Sequence, residues 1–242
     1  MEFFIFILVG AFAGGFVNGL SGFGTSMTAL AFWLYVVPPT IAAPLAVTCS
    51  LVGHLQTMPS IWRQINLKRV MPFILGGALG VPFGVYFLSR ITADSFKFYL
   101  GILIVSYCVF MILRKKQPGT IQSNLGMDTS VGFFGGVLGG LSGLSGLLPT
   151  IWSNFRAWDK VVKRSVFQTY NFTIALIALC MQGASGFITL DLMKIIGLAL
   201  PGTLLGVWLG HWVYKKLGDN RFNQAIYVIL IVAGLNLLFD SI

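Results

Sequence analysis

The sequence predicts an all-α fold, a polytopic transmembrane helical bundle made of two inverted-topology repeats of about five segments each. Three features support this prediction: the composition, a glycine-rich stretch that occurs twice, and the distribution of charge. The chain is 56% hydrophobic and 10% charged, and its mean hydropathy is +0.85. Because soluble domains carry about 25% charged residues, lipid is the expected solvent for most of this chain.

Ten apolar segments follow one another along the chain. They cover residues 3–20, 25–37, 40–58, 70–88, 98–113, 130–147, 148–158, 165–181, 192–214 and 222–239. Two of them, 25–37 and 148–158, extend roughly 16–20 Å, against a hydrocarbon core of about 30 Å. Each therefore either crosses obliquely or turns back near the midplane. The predicted organisation is a first transmembrane repeat at 1–113, a cytoplasmic linker at 114–127 and a second transmembrane repeat at 128–242.

A glycine-rich stretch at Gly14–Gly22 returns as Gly135–Gly143, an offset of 121 positions, with six of nine residues identical. Further pairs follow at an offset of 126: they are Lys68 with Lys194, Gly80 with Gly206, Val81 with Val207, Gly84 with Gly210, and Phe96 with Phe222. Two halves of this length are too long for the unit of a solenoid. Interrupted segments in matching positions of two membrane repeats are typical of a transport site.

Basic residues lie in every second connection between the segments. The clusters are Arg63, Lys68 and Arg69; Arg114, Lys115 and Lys116; Arg156, Lys160, Lys163 and Arg164; and Lys215, Lys216 and Arg221. The positive-inside rule then places the linker in the cytoplasm and both termini outside, in a multi-pass protein of the inner or plasma membrane. Matching connections of the two halves differ in charge, so the second repeat is predicted to enter from the opposite face. This topology explains the net charge of +9, and no nucleic-acid partner is expected.

The two glycine-rich breaks, residues 19–26 and 140–146, are poor helix interiors, because each glycine costs about 1 kcal/mol relative to alanine. An opened turn in lipid must line a cavity or be covered by protein. Glycine permits a positive φ, which lets successive N–H groups converge on an anion. We therefore predict a small-anion site with the candidate residues Asn18, Gly19, Ser21, Gly22, Gly24, Thr25, Ser26, Thr48, Gly140, Ser142, Gly143, Ser145, Gly146, Gln168 and Asn171. The simpler alternative is that the glycines allow close helix crossing and the polar side chains bond between helices.

The remaining polar residues of the segments give weaker signals. His54 and His211 are candidates for proton coupling, although a structural histidine near the cytoplasmic end of its segment is the more common interpretation. Arg164 opens the eighth segment and could steer anions toward an inner mouth, although topology alone accounts for it. No carboxylate is expected at mid-membrane depth, since the aspartates at 94, 128, 159, 191 and 219 fall at segment ends or in loops. The three cysteines have no metal-binding spacing, so no metal or cofactor is expected.

Three motifs together resemble a known family. They are the duplicated glycine-rich turn, the run Pro38–Ala46 and the stretch Lys163–Thr169. With them the chain resembles the sulfite exporter TauE/SafE family of membrane transporters over nearly its whole length. The resemblance implies a carrier of sulfite, a small organosulfonate or another small organic anion, with about eight helices. Pro149 follows the second turn as in that family, whereas Met27–Ala29 contains no proline after the first, so the two turns need not be equivalent.

A protein of another class is the alternative. Gly19–Gly22 and Gly140–Gly143 each match the Gly-x-Ser-Gly signature of rhomboid-type intramembrane proteases, in which a serine and a histidine perform acyl transfer. The duplication, the inverted charge pattern and the absence of a symmetry-matched histidine favour transport. We therefore expect a secondary carrier working by alternating access, and not an enzyme. Its exact anion, transport direction, coupling ion and oligomeric state, a homo-oligomer included, stay open.

Overall fold

The computed structural model describes residues 2–113, 124–156, 158–216 and 219–241. These residues form ten α-helices and no β-strand, which confirms the predicted all-α class. The helices are α1 Glu2–Ser21, α2 Thr25–Trp33, α3 Pro39–Thr57, α4 Leu67–Leu88, α5 Ala93–Leu113, α6 Leu125–Ser142, α7 Leu147–Ser153, α8 Lys160–Ala184, α9 Leu190–Lys216 and α10 Asp219–Phe239. Each predicted segment coincides with one helix. Within the predicted linker, residues 114–123 lie outside the described residues, and α6 already begins at Leu125.

Several helices begin earlier than the apolar runs on which the predicted boundaries rest. The side chains of Asn66, Asn124 and Asp159 accept hydrogen bonds from backbone N–H groups in the first turns of α4, α6 and α8. Such caps let a helix start through polar residues, so these helices begin three to five residues before the predicted segments. Helix α6 ends at Ser142, earlier than predicted, because Gly143 adopts a positive φ of 73°.

The surface of the bundle is that of a membrane protein. Helices α1, α4, α5 and α9 are each long and apolar enough to cross a bilayer. On α4 the large side chains of Leu75, Leu79 and Phe83 are exposed, whereas Gly76 and Gly80 are buried. This arrangement suits lipid as the surrounding solvent, because small residues allow close helix contact while apolar side chains face the hydrocarbon.

The two halves of the chain interlock. Helix α1 packs against α9, and α6 packs against α4. A Cβ added at Gly206 would collide with the carbonyl oxygen of Phe12, and one added at Gly80 would collide with that of Phe133. Phe12 and Phe133 are 121 positions apart, as are the two copies of the glycine-rich stretch. Matching contacts therefore join the first helix of each half to the fourth helix of the other, while the inverted orientation of the halves stays a prediction.

The two short helices turn back along the long helices that precede them. At 1.5 Å per residue, the nine residues of α2 and the seven of α7 extend about 13 Å and 10 Å. A Cβ at Gly14 on α1 would lie 3.1 Å from the Cβ of Ala29, and one at Gly10 would lie 2.9 Å from Trp33 Cδ1. Helix α2 therefore runs back along α1 in the opposite direction. Helix α7 likewise packs against α6, so that both glycine-rich turns lie inside the bundle.

Candidate functional site

The second glycine-rich turn ends α6 in a Schellman motif. The N–H of Gly143 donates to the carbonyl oxygen of Gly139 at 2.9 Å, and the N–H of Leu144 donates to that of Leu138 at 3.2 Å. This pattern needs a residue with positive φ, which Gly143 supplies. The backbone hydrogen bonds of the turn do not use the N–H groups of Ser145 and Gly146, which precede α7.

The first glycine-rich turn also depends on glycines with positive φ, but its hydrogen bonds are different. Gly22 and Gly24 have φ values of 81° and 94°. The N–H of Gly22 donates to the carbonyl oxygen of Asn18 at 2.7 Å, and the hydroxyl of Ser21 donates to that of Phe23 at 2.6 Å. The chain can then reverse at Gly24 and start α2 at Thr25. Positive φ at these glycines is what the sequence predicted for an opened turn.

Each turn lies against the other half of the protein. A Cβ at Gly143 would lie 2.5 Å from Ser26 Oγ and 3.1 Å from Val47 Cγ2, in the first half. A Cβ at Gly22 would lie 3.0 Å from Gln168 Nε2, in the second half. Val47 and Gln168 are themselves 121 positions apart. The two turns therefore occupy equivalent places in the fold and meet near the middle of α3 and α8.

A small, partly open cavity lies between the two turns. Six predicted site residues line it, together with the coupling candidate His54. The six are Gly24, Ser26, Gly143, Ser145, Gly146 and Asn171, and the other lining residues are Phe23, Met27, Ser50, Leu144 and Leu147. The cavity thus has a polar side, made by hydroxyl, amide and backbone groups, and an apolar side.

The polar groups of the cavity are partly unpaired. Ser26 Oγ and Ser50 Oγ are 2.9 Å apart, and Ser145 Oγ donates to Asn171 Oδ1 at 3.1 Å. Asn171 is 1% exposed, yet its Nδ2 atom has no hydrogen-bond partner among the described residues, and the same holds for Nδ1 of His54. A buried donor left unpaired costs about 1–3 kcal/mol, so a polar ligand that accepted from Asn171 would offset this cost.

The other predicted site residues lie away from this cavity. Three predicted hydroxyls donate to carbonyl oxygens of their own helices: Ser21 to Val17, Thr48 to Pro44 and Ser142 to Leu138. The buried Asn18 amide donates to Thr25 Oγ1 at 2.6 Å. Gly19 and Gly140 are closely approached by backbone carbonyl groups of α9 and α4. For these two glycines the close-crossing alternative describes the observed contact. His211 lies on α9 beside Gly19 and does not line the cavity.

A buried ion pair at the start of α6 was not predicted from the sequence. The Arg156 guanidinium, 2% exposed, donates to the carboxylate of Asp128, which is 3% exposed. Trp152 Nε1 donates to the same carboxylate at 2.7 Å, and Arg156 lies over the rings of Trp152 and Trp158 at 5.1 and 5.6 Å. The tryptophans on either side of Arg156 could have indicated that this residue is buried. The positive-inside rule, however, already explained a basic residue at this position.

The first half has an uncharged version of this contact. Trp33, at the end of α2, donates its Nε1 hydrogen to the carbonyl oxygen of Ile7 at 3.1 Å. Ile7 and Asp128 are 121 positions apart. In both halves an indole at the end of the short helix is therefore tied to the same place on the preceding long helix, which holds the turned-back helix in position.

The four long apolar helices define a multi-pass membrane protein. A family model described as "Sulfite exporter TauE/SafE" matches residues 6–237, and the chain belongs to that family of membrane transporters.

Curated relatives agree with this assignment. A "Probable membrane transporter protein ORF9" of a Sinorhizobium species is 22% identical, covering 97% of this chain and 92% of the relative. A "Probable sulfite/organosulfonate exporter TauE" of Cupriavidus necator is 24% identical, covering 95% and 91%. A "Probable nitrate transporter NarT" of Staphylococcus aureus is 30% identical over 32% of this chain and 18% of its own length. No solved structure matches the chain.

Proposed function

We propose that the protein is a secondary carrier of a small oxyanion, either sulfite or a small organosulfonate, which binds in the cavity between the two glycine-rich turns. One observation carries the proposal: the buried Asn171 amide offers unpaired N–H donors to this cavity. The hydroxyls of Ser26 and Ser50 line the same space from the first half. Donors from both halves can therefore contact one ligand.

The chemistry of the lining suits a sulfur oxyanion. Hydroxyl, amide and backbone N–H groups can donate to the oxygens of a sulfite or sulfonate group. Phe23, Met27 and Leu147 supply an apolar wall for the short carbon chain of a sulfonate. Among the residues that the structure describes, no Lys or Arg lines the cavity, so neutral donors would hold the anion. Binding that is not too tight is what a carrier needs in order to release its ligand. The printed name of the Cupriavidus relative supports the same substrate class.

Transport follows if the two halves move against each other. Ser26 with Gly143, and Gly22 with Gln168, are contacts between the two halves at the two glycine-rich turns. Separation of one contact while the other stays closed would expose the cavity to one side of the membrane at a time, as in other carriers with paired broken helices. The cell membrane, with both termini outside and residues 114–127 in the cytoplasm, is the location that we propose.

Proton coupling belongs to the same proposal. His54 lines the cavity and its Nδ1 atom lacks a partner within the described part of the chain, so a proton bound there would stand next to the anion. His54 is therefore the better placed of the two histidines, because His211 does not line the cavity.

The protease alternative finds less support in the geometry. A serine nucleophile needs its hydroxyl hydrogen-bonded to a general base. The hydroxyls of Ser21 and Ser142 instead donate to the backbone carbonyl oxygens of Val17 and Leu138. Neither serine lines the cavity that contains His54. These contacts favour a carrier.

Uptake of radiolabelled sulfite into proteoliposomes tests the proposal, with Asn171→Ala as the variant and Thr48→Ala as the control. The control removes a hydroxyl from α3 that donates within its own helix. We expect saturable uptake by the wild type, a KM raised about tenfold in Asn171→Ala because a hydrogen bond to a charged ligand is lost, and little change in Thr48→Ala. An unchanged KM in Asn171→Ala would remove the cavity from the mechanism. Absence of saturable uptake of both sulfite and methanesulfonate by the wild type would refute the substrate class.

A further inference from the structure

Arg164, near the start of α8, has guanidinium donors without hydrogen-bond acceptors in the described part of the chain. Its Nε and Nη2 atoms are buried, and no acceptor among the described residues bonds to them. The guanidinium lies over the ring of Tyr214, 4.7 Å from its centroid, at the end of α9. The ring covers one face of the cation but accepts none of its in-plane N–H groups. Because a guanidinium stays charged at any physiological pH, burying these donors is costly unless an acceptor binds to them.

The position of Arg164 connects it to the cavity. Arg164, Gln168 and Asn171 are spaced four and three residues apart, so they lie on one face of α8. At 1.5 Å per residue, Arg164 and Asn171 are about 10 Å apart along the helix axis. Between them, Gln168 is 1% exposed, lies against Gly22 and donates to Thr57 Oγ1 at 3.2 Å. A continuous row of polar side chains therefore leads from Arg164 past Gln168 to the cavity.

The equivalent row in the first half is different. The residues 121 positions earlier are Ala43, Val47 and Ser50 on α3. Ala43 and Val47 are fully buried and apolar, and Val47 contacts Gly143 as Gln168 contacts Gly22. At these two positions the face of α8 that leads to the cavity is therefore polar, whereas the equivalent positions of α3 are apolar. The start of α8 also lies within the basic cluster of residues 156–164, which the charge pattern places on the cytoplasmic side.

We propose that Arg164 forms a second anion site, which takes up the oxyanion at the cytoplasmic end of α8 before it passes the contact of Gln168 with Gly22. The ligand class is an oxyanion with two oxygens available to the guanidinium fork, such as sulfite or a sulfonate. The identity of this anion rests on the proposed function. A lipid phosphate offers the same chemistry, so the test separates the two sources.

The test is calorimetric titration of the full chain in dodecylmaltoside, after removal of phospholipid, with sodium sulfite and separately with methanesulfonate. The variants are Arg164→Gln and Arg164→Lys. The matched control is Arg69→Gln, which removes an identical charge from an exposed position on α4. We expect two bound anions in the wild type and in the control. We expect one in Arg164→Gln, with the lost site weakened at least tenfold, and an intermediate affinity in Arg164→Lys, which keeps the charge but not the fork.

Equal stoichiometry and affinity in Arg164→Gln and the wild type would overturn the second site. If that variant also carries less phospholipid through purification, the guanidinium binds lipid phosphate, and the inference is again overturned. Asn171→Ala separates this result from the proposed function. Loss of one anion in Arg164→Gln, together with unchanged binding and uptake in Asn171→Ala, would leave the second site standing and refute the central one. Failure of the wild type to bind either anion would refute both.

Discussion

The Ser26 hydroxyl lies 2.5 Å from the position that a Cβ atom would occupy at Gly143. One residue belongs to the short helix of the first half, and the other ends the long helix of the second half. The absence of a side chain at position 143 therefore allows the two halves to meet beside the cavity.

Gly143→Ala should abolish most sulfite uptake, because the added methyl group collides with Ser26 and the residue must keep a positive φ. Gly186→Ala is the matched control, since Gly186 has a similar φ of 80° but has nothing within 4 Å of an added Cβ. Both variants should lose about 1–2 kcal/mol of stability from backbone strain, but only Gly143→Ala should lose uptake more than tenfold. Equal uptake in the two variants would show that the contact with Ser26 is not needed.

Ser26→Ala should raise the KM for sulfite about tenfold, because this hydroxyl lines the cavity and can donate to the anion. Ser21→Ala is its control in the same turn. The Ser21 hydroxyl donates to backbone carbonyl groups, and we expect a change in KM of less than twofold. Initial uptake rates over a range of sulfite concentrations measure both values. A larger effect at Ser21 than at Ser26 would indicate that the anion binds outside the cavity.

Breaking the ion pair between Arg156 and Asp128 should destabilise the protein by about 3–5 kcal/mol, because it leaves one charge buried without its partner. Arg156→Leu and Asp128→Leu should each lower the Tm in detergent. The double variant should unfold at a temperature closer to that of the wild type than the sum of the single effects predicts. Strict additivity in thermal unfolding would mean that the two charges do not interact.

His54→Gln should remove the response of sulfite uptake to an imposed pH gradient, because His54 is the titratable side chain that lines the cavity. His211→Gln, on α9 and outside the cavity, should keep that response. Uptake measured with and without the gradient checks both expectations. If His54→Gln retains the full response, the coupling proton binds elsewhere or the carrier works without one.

The helices were predictable because their signals are local. Apolar runs and glycine-rich breaks are read directly from neighbouring residues, and Gly22 and Gly143 adopt the positive φ that the breaks require. It was harder to predict from the sequence which polar residues line the cavity. Thr48 and Ser50 lie on the same apolar helix, and only the packing of α3 turns Ser50 toward the cavity and Thr48 toward its own backbone. A helix that is apolar on all sides gives no rotational phase in its sequence.

The pairing of residues that are distant in the chain could not be predicted from the sequence either. Asp128 and Arg156 are far apart in the chain, and each had a sufficient explanation at a helix end or in a basic cluster. They meet because α7 turns back along α6 and brings its end to the first turn of that helix. The contacts of α1 with α9 and of α6 with α4, which join the two halves, depend in the same way on non-local packing.

Protection of a cysteine at position 26 by a sulfonate would show whether an anion binds between the two turns. In a Cys180→Ser background, which removes the exposed native thiol, Ser26→Cys protein is labelled with a maleimide at increasing methanesulfonate concentration, beside Thr48→Cys. An anion bound between the two turns should slow labelling at position 26, with half-protection near the KM for methanesulfonate uptake, and should leave position 48 unaffected. Labelling at position 26 that does not respond to the anion, in protein that transports it, would contradict the account.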